Sequence, residues 1–402
     1  MGPKRILFII PEMSVGGAQR SLAKISFEMA KDHLVWVVVF DQDSRTAYDC
    51  GGEMISLDVR GGKNWLGKAI SMVNRVTKLR AVKRRLNIDV AISFLEGADY
   101  INILSQRKER VVLSIRGSKL HDENMHRRFF FLRRYILIPF LYRKANLIIA
   151  VNHGIALELT IHFGINVPIR VIFNYYDLPE IKTLASASLD RPFEFLYKSP
   201  VLITTGRLAV EKRISFLIRV FHRLKYSVPD ARLMIVGDGP EYENLVSLGR
   251  ELGLRVQEKG KEEPRAELIF AGNQTNVYPF IQRSVLYLMA STSEGFPNGV
   301  AEAMVCGLPV ISTDCPYGPR EILAPGTELT TLEEPEFAPF GILMPLATDS
   351  DGAIDSWTKT IEKLINDNHL RKEYAQKSFV RAGDFSKETS LRQWIEAIGG
   401  QG

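Results

Sequence analysis

The strongest constraint on this chain is a rhythm: short apolar runs alternate with longer amphipathic stretches, and the pattern occurs twice. In the first series the runs Ile6–Ile10, Leu34–Phe40, Met54–Leu57, Val90–Phe94, Val111–Ile115, Leu147–Val151 and Ile169–Ile172 read as strands. Helical patterns fall between them at Ala18–Ala30, Trp65–Leu86 and His126–Arg143. Unbroken apolar strands separated by helix-length segments predict a parallel sheet covered on both faces. The rhythm weakens from Asn174 to Pro200, where Asp177-Leu178-Pro179, Ala185–Ser188, Pro192 and Pro200 read as a linker. It restarts with strand Val201–Thr205, helix Arg213–Lys225, strand Arg232–Val236 and helix Glu241–Leu252. Further strands are expected at Leu268–Phe270, Val285–Leu288, Pro309–Ser312 and Ile342–Pro345. The fold class expected is α/β, two doubly wound sheets in series, and 402 residues suffice for two such domains. The boundaries read are 1–180 and 181–380, with 381–402 as a terminal helical segment. Ligands of such sheets bind at the carboxyl ends of the strands, so the loops there are expected to carry function.

Composition narrows the class. The apolar share of 46% and charged share of 24% are those of a soluble globular protein. No stretch of 18 apolar residues spans a bilayer, and Ile6–Ile10 is too short for a signal-peptide core. Cys50, Cys306 and Cys315 are too scattered for a disulfide framework or a zinc site, which favours a reducing compartment and a cytoplasmic location. The net charge of +6 is unevenly spread. Residues 1–180 hold 27 Lys/Arg against 17 Asp/Glu, and the remainder holds 25 against 29, so the first half is expected to face an anionic partner.

Several loops carry chemistry. After the first strand comes Ser14-Val15-Gly16-Gly17-Ala18-Gln19-Arg20, a turn that either brings backbone close to an anion at a helix N-terminus or is a tight turn with no ligand. It is not GxGxxG, which counts against a nicotinamide site. Gly206 and Arg207 follow strand Val201–Thr205, and Glu211-Lys212 opens the next helix; two cations there would neutralise a diphosphate or form a solvated basic turn. Gly237-Asp238-Gly239-Pro240 follows the next strand, with Pro240 at an N1 position. The densest element is Ser293-Glu294-Gly295-Phe296-Pro297-Asn298-Gly299-Val300-Ala301-Glu302-Ala303-Met304, a loop running into a helix opened by Pro297. Its two carboxylates would grip hydroxyls near free backbone N–H groups. The residues alone leave open a general acid or base at Glu294 and a solvated Glu302.

The Glu294–Glu302 pair forms E-x7-E within EGFPNGVAEAM. Together with GRL…EK at 206–212, GDGP at 237–240, FAGN at 270–273 and GGAQR at 16–20, it resembles the GT4 retaining glycosyltransferases of GT-B fold over nearly the whole chain. The resemblance extends to bacterial cell-surface and lipid-linked glycan enzymes. It implies two Rossmann-like domains facing across a cleft, the first binding acceptor and the second the nucleotide-sugar donor, with a C-terminal helix crossing back to the first. Arg207 and Lys212 would hold the donor's diphosphate in place of a metal ion, so no cofactor or metal is expected. Glu294 would contact hydroxyls of the transferred sugar as the third catalytic residue, and Glu302 the ribose. Asn298, Gly299 and Val300 would approach phosphates and ribose with their backbone, and Phe296 belongs to the same donor loop. Gly206, Gly237 and Gly239 would shape the donor site, and the segment Phe270–Asn276, including Asn273, would line the base. Gly16 and Gly17 would sit at the interdomain cleft near the phosphates and the acceptor. Many relatives have a histidine where this chain has Arg116; an arginine contacts a phosphate or a sugar hydroxyl but is no base, and a surface arginine without a role is the plain alternative.

The implied reaction transfers a hexose or N-acetylhexosamine from a nucleotide diphosphate sugar, with UDP favoured and GDP also used in the family. Acceptor evidence lies in the basic half. Trp65–Ile88 contains Lys68, Arg75, Lys78, Arg80, Lys83, Arg84 and Arg85 with no acidic residue. Residues 124–157 combine Arg127, Arg128, Arg133, Arg134, Arg143 and Lys144 with Phe129–Phe131, Tyr135, Phe140 and Tyr142, again with none. Such helices suit an anionic membrane surface and a lipid-linked saccharide acceptor, with the enzyme peripheral on the cytoplasmic face. The bland alternative packs the apolar face on the sheet and leaves the arginines solvated. Nucleic acid is disfavoured because no stacking platform accompanies the charge, and no obligate protein partner is inferred. Competing functions are a sugar-nucleotide epimerase, a glycan phosphorylase and a non-catalytic sugar-nucleotide binder. Trp394 is expected to be a packing residue.

Overall fold

The computed structural model describes residues 2–14, 16–41, 47–120, 131–328 and 330–399. The chain forms two compact units, Met1–Asn174 with Glu388–Gly402, and Tyr175–Lys387. Of the segment read as terminal, 381–402, only the part from Glu388 on groups with the first unit, and 381–387 stay with the second, as do 175–180.

The first unit is built on β1 (Arg5–Ile9), β2 (Leu34–Val39), β3 (Glu53–Ser56), β4 (Val90–Phe94), β5 (Arg110–Ile115), β6 (Leu147–Ala150) and β7 (Ile169–Val171). They form one sheet in the order β3-β2-β1-β4-β5-β6-β7, parallel throughout. The second contains β8 (Val201–Thr205), β9 (Arg232–Val236), β10 (Val256–Gln257), β11 (Leu268–Gly272), β12 (Leu286–Met289), β13 (Val310–Thr313), β14 (Glu336–Ala338) and β15 (Gly341–Met344). Its order is β10-β11-β9-β8-β12-β13-β15-β14, with β14 antiparallel on β15. Central strands β4, β6, β12 and β13 are buried along their whole length, which is why they read as continuous apolar runs. In each sheet the order reverses beside the first strand, between β1 and β4 and between β8 and β12. Ligands of doubly wound sheets bind at such switch points.

The expected strands all form, within two residues at either end. Two short edge strands, β10 and β14, were not expected; two or three residues are too few for periodicity to register. Helices Glu96–Leu104 and His153–Phe163 were likewise missed, the second capped by the Asn152 carboxamide on the Ile155 N–H at 2.6 Å.

The stretch read as a linker is partly a packed element. Helix Leu178–Ala185 is capped by Asp177, buries Ile181 and Ala185, and is held by Asn276 Nδ2 donating to the Leu184 carbonyl at 2.8 Å. Its Pro at the second position suits a helix start, so the proline read as a breaker acts as an initiator. Pro240, expected at N1, lies two residues ahead of helix Tyr242–Glu251.

The basic segment before β6 also departs from expectation. Arg133–Leu137 is a π-helical turn leading into Ile138–Tyr142. Here the buried residue is the cation: Arg133 donates from Nε to both Glu96 oxygens at 2.7 Å and from Nη2 at 2.6 Å. Phe131, Tyr135, Ile136 and Phe140 instead face outward, each more than half exposed. Beneath them the fully buried Asp99 carboxylate accepts from Ser93 Oγ at 2.7 Å and Tyr142 Oη at 2.8 Å. Residues Arg127, Arg128, Phe129 and Phe130 lie outside the described residues.

Burial raises the Asp99 carboxyl to about 7, against the pull of Lys119 and the two hydroxyls. Folded chains thus keep a proton that unfolded chains lose from about pH 4 upward, so stability from this group is present below pH 4 and is lost as pH rises through 7. Relative to Asp99→Asn, the wild type is expected to lose up to about 4 kcal/mol across that window. Denaturant midpoints at pH 4 and 7 measure it; parallel shifts in both proteins would refute the assignment.

Candidate functional site

In the second unit the loops after β8, β9 and β12 interlock. Gly206 and Gly237 have φ of +139° and +141°, values that side chains rarely adopt. A Cβ on Gly237 would lie 1.9 Å from the Gly206 carbonyl oxygen, so the ends of neighbouring strands β8 and β9 meet backbone to backbone. Gly239 is equally confined, 2.3 Å from the Leu208 carbonyl by the same measure. Asp238 Oδ1 accepts from the Gly239 N–H at 2.9 Å, while Oδ2 pairs with Lys259 Nζ at 2.8 Å. Lys259 also lies 4.2 Å from the Tyr242 ring centroid.

The candidate site joins the loops after β8 and β12. Lys212 Nζ lies 2.6 Å from Glu294 Oε1, which also accepts from Ser291 Oγ at 2.7 Å. Burial alone would lower the Lys212 ammonium; the Glu294 carboxylate outweighs it and holds the group above its ordinary value. Ser291 is fixed in turn, its carbonyl accepting from Thr313 Oγ1 at 2.7 Å. The Thr292 N–H donates to the Glu211 carbonyl at 2.9 Å, tying the two loops by backbone as well. An ammonium carries three donors and a carboxylate two oxygens, so the pair keeps capacity for an anion and for a hydroxyl. Cys315 lies close enough for the Glu294 charge to act on it, but its thiol is fully buried and burial pushes it far above the ordinary range. It is no nucleophile.

Arg207 directly follows Gly206, is exposed, and forms no ion pair among the described residues. Glu302 is 4% exposed, which removes the reading of a solvated helix residue. It sits on helix Asn298–Val305 near the Tyr287 hydroxyl, whose ionisation is opposed first by burial and then by the Glu302 and Glu294 charges. Tyr287 Oη lies 3.1 Å from Thr205 Oγ1, and a Cβ on Gly299 would fall 2.0 Å from that phenol oxygen. Gly299 therefore lets the start of the helix settle onto β8 and β12.

The remaining expected residues divide. Asn298 Oδ1 accepts from Tyr176 Oη at 2.6 Å, and Val300 is fully buried with its N–H donating to the Pro297 carbonyl at 3.0 Å, so the Val300 side chain meets no ligand. Phe296 is buried edge-on to Phe385 at 5.6 Å. In the segment expected to line a base, Phe270 is core, edge-on to Tyr242 at 5.5 Å, whereas Asn273 is exposed. Gly16, Gly17 and Arg116 lie in the first unit, Gly16 as the extended N-cap of helix Gly17–Met29. The sequence reading missed Tyr287, Thr205, Ser291 and Lys259. Tyr287 sits in a strand where every residue reads as core, and the others lack any motif.

Residues 15–179 match the model for Glycosyltransferase Family 4, and residues 199–367 match that for glycosyl transferases group 1. An uncharacterised glycosyltransferase of Methanocaldococcus jannaschii is 28% identical over 87% of this chain and 88% of that protein. The N-acetylgalactosamine-N,N'-diacetylbacillosaminyl-diphospho-undecaprenol 4-alpha-N-acetylgalactosaminyltransferase of Campylobacter jejuni is 26% identical over 98% of this chain and 99% of its own length. Among solved structures, Anabaena HepE in complex with UDP and glucose superposes with a TM-score of 0.74 at 17% identity, covering 99% of this chain and 100% of that one. WaaG, a glycosyltransferase of lipopolysaccharide biosynthesis, gives 0.69 at 15% identity, covering 98% of this chain and 100% of that one.

The Gly299 contact is testable. Gly299→Ala is expected to cost about 1–3 kcal/mol by overpacking, and Tyr287→Phe in the same chain to recover part of it. A double-mutant cycle in denaturant would show coupling of about 0.5–3 kcal/mol; strict additivity would break the assigned contact.

With each unit matched by a glycosyltransferase model and both carrying doubly wound sheets, the chain belongs to the GT4 glycosyltransferases of GT-B fold.

Proposed function

We propose that this chain is a retaining hexosyltransferase that moves a hexose or N-acetylhexosamine from a UDP-sugar to a lipid-linked glycan acceptor at an anionic membrane surface. The observation that carries the reading is the Lys212–Glu294 pair at the β8/β12 switch point, a cation and a carboxylate held side by side where such sheets bind ligand. Lys212 and the exposed Arg207 take the donor's diphosphate and offset the charge that grows on it as the glycosidic bond breaks, the work a metal ion does elsewhere. Glu294 accepts from hydroxyls of the transferred sugar and Glu302 from the ribose. Backbone N–H groups at Asn298 and Gly299 face the phosphates, and Val300, whose N–H donates to the Pro297 carbonyl at 3.0 Å, closes the first turn behind them. Gly206, Gly237 and Gly239 keep side chains out of the phosphates' path, and Asn273 borders the base; Gly16, Gly17 and Arg116 belong to the first unit, where Arg116 contacts a phosphate or a sugar hydroxyl. Retention follows from front-face displacement: the acceptor oxygen attacks from the side that the diphosphate leaves, and a departing phosphate oxygen takes its proton.

Outward-facing residues of the first unit support the acceptor side. Trp65 is 80% exposed, with Leu66, Ile70 and Val73 also exposed on the same helix, beside Lys68. On the π-helical segment, Phe131 and Tyr135 stack at 6.0 Å with Arg134 over the Tyr135 ring, and Lys144 covers the Phe140 ring. Aromatic groups beside cations suit headgroup depth. Not all the basic residues serve this: Lys83 is buried against Glu109 at 2.8 Å, Arg75 donates to the Val59 carbonyl, and Lys78 to that of Leu57. No helix among the described residues is long and apolar enough to cross a membrane. The named activity of the Campylobacter relative, on a diphospho-undecaprenol saccharide, favours the same acceptor class.

Radiolabelled nucleotide sugars incubated with membrane lipid extract test the activity. Transfer into the lipid fraction is expected, and Lys212→Ala and Arg207→Ala should each lower kcat about 10²–10³-fold while folding persists. Near-normal turnover in both would refute the roles; a new sugar nucleotide formed without acceptor would favour an epimerase. Separately, sedimentation with phosphatidylserine vesicles should weaken at least about tenfold when Phe131, Tyr135 and Phe140 become Ser. Unchanged binding would remove this segment from the membrane contact.

A further inference from the structure

Arg116 follows β5 and occupies an unusual position for a cation. Its guanidinium carbon lies 5.0 Å from the Phe94 ring centroid and 5.5 Å from that of Trp394. The two rings are themselves stacked, 6.2 Å apart and 8° from parallel. Nη1 donates to Asn174 Oδ1 at 3.0 Å, and the same oxygen lies 3.2 Å from Ser21 Oγ on helix Gly17–Met29. Nε and Nη2 are buried and have no hydrogen-bond partner. No carboxylate forms an ion pair with Arg116 among the described residues, and burial alone pulls the group down to about 9. The residue as a whole keeps partial exposure, although these two nitrogens have essentially none.

These facts have one economical explanation. A buried cation without a counter-ion is costly, and buried donors are almost always satisfied. Nε and Nη2 form the side-on edge of the guanidinium, two near-parallel N–H groups that match two oxygens of one phosphate. Fixing that edge requires fixing the guanidinium plane. The rings of Phe94 and Trp394 and the Asn174 oxygen do so together. Trp394 is fully buried on helix Lys387–Gly399, which is anchored on the first unit by Lys4 Nζ donating to the Ile398 carbonyl at 2.9 Å and Ser390 Oγ to the Phe173 carbonyl at 3.3 Å.

We propose that Phe94, Asn174 and Trp394 are positioning residues that hold Arg116 with its buried, unpartnered Nε–Nη2 edge aimed at a single phosphate group, so that the C-terminal helix completes an anion site in the first unit. This rests on the reading of Arg116 as a ligand-binding residue and narrows it from sugar hydroxyl or phosphate to phosphate. Donor and lipid-linked acceptor both carry a diphosphate, and the site's chemistry fits either.

The test uses the full chain with Arg207→Ala and Lys212→Ala, which removes the second unit's cations, and titrates it with inorganic pyrophosphate by calorimetry. Binding is expected to persist in that background. Arg116→Lys, which keeps the charge but loses the edge, should weaken it tenfold or more. Trp394→Leu should do likewise, and Trp394→Phe should restore most of it; circular dichroism checks that each variant is folded. Equal affinity in the Arg116→Lys variant and its parent would overturn the proposal, as would no binding in the parent. In the otherwise wild-type enzyme, a rise in KM for the nucleotide sugar alone on Arg116→Lys assigns the phosphate to the donor, and a rise for the acceptor alone assigns it to the acceptor. A lower kcat with both KM values unchanged counts against an anion site. Pyrophosphate binding needs no turnover, so an inactive enzyme that still shows the Arg116 dependence would refute the transferase reading and leave this one standing.

Discussion

Everything assigned to the second unit depends on one ion pair. Lys212 and Glu294 lie 82 positions apart in sequence and 2.6 Å apart in space because β8 and β12 are neighbours in a parallel sheet. The loops they end in point the same way, as parallel strands require. Mutual neutralisation lets the two charges sit partly shielded from water, where an interaction with a ligand is stronger than at an open surface. Either charge alone would carry a desolvation penalty there with nothing to offset it. The pair is therefore a structural element besides the catalytic role proposed for it, which is why substituting either partner needs a folding control beside the activity measurement.

Around this pair the backbone comes unusually close. Gly237, Gly239 and Gly299 leave no room for a side chain among β8, β9, β12 and the helix that carries Glu302, and Gly206 adopts a φ that side chains rarely take. Such closeness brings amide groups toward a ligand without side chains intervening, and it also fixes Glu302, buried on the first turns of its helix, relative to Tyr287. The geometry is rigid because sheet, loop and helix are in direct contact.

The basic first half shows how misleading a charge count is. Lys83 is consumed by Glu109, Arg133 by Glu96, and Arg75 and Lys78 by carbonyl oxygens, so much of the positive charge works inside the unit. What remains outside is smaller but accompanied by exposed aromatic side chains. That pairing, more than net charge, is what supports the membrane contact proposed for this unit.

The sequence by itself determined the strands, their parallel class and the loops that carry the site. Apolar periodicity records burial on both faces, and a strand buried on both faces has little choice of partner class. Glu294, Lys212 and the glycines were legible because their spacing reflects backbone requirements local to one turn. Only the tertiary structure decided that Lys212 meets Glu294, that Tyr287 supports Gly299, that Arg133 points inward while its aromatic neighbours point out, and that Trp394 faces Arg116. Each of these is a contact between segments far apart along the chain. No local pattern encodes it, since the partner is chosen by which strands lie side by side and by what fills the space between them.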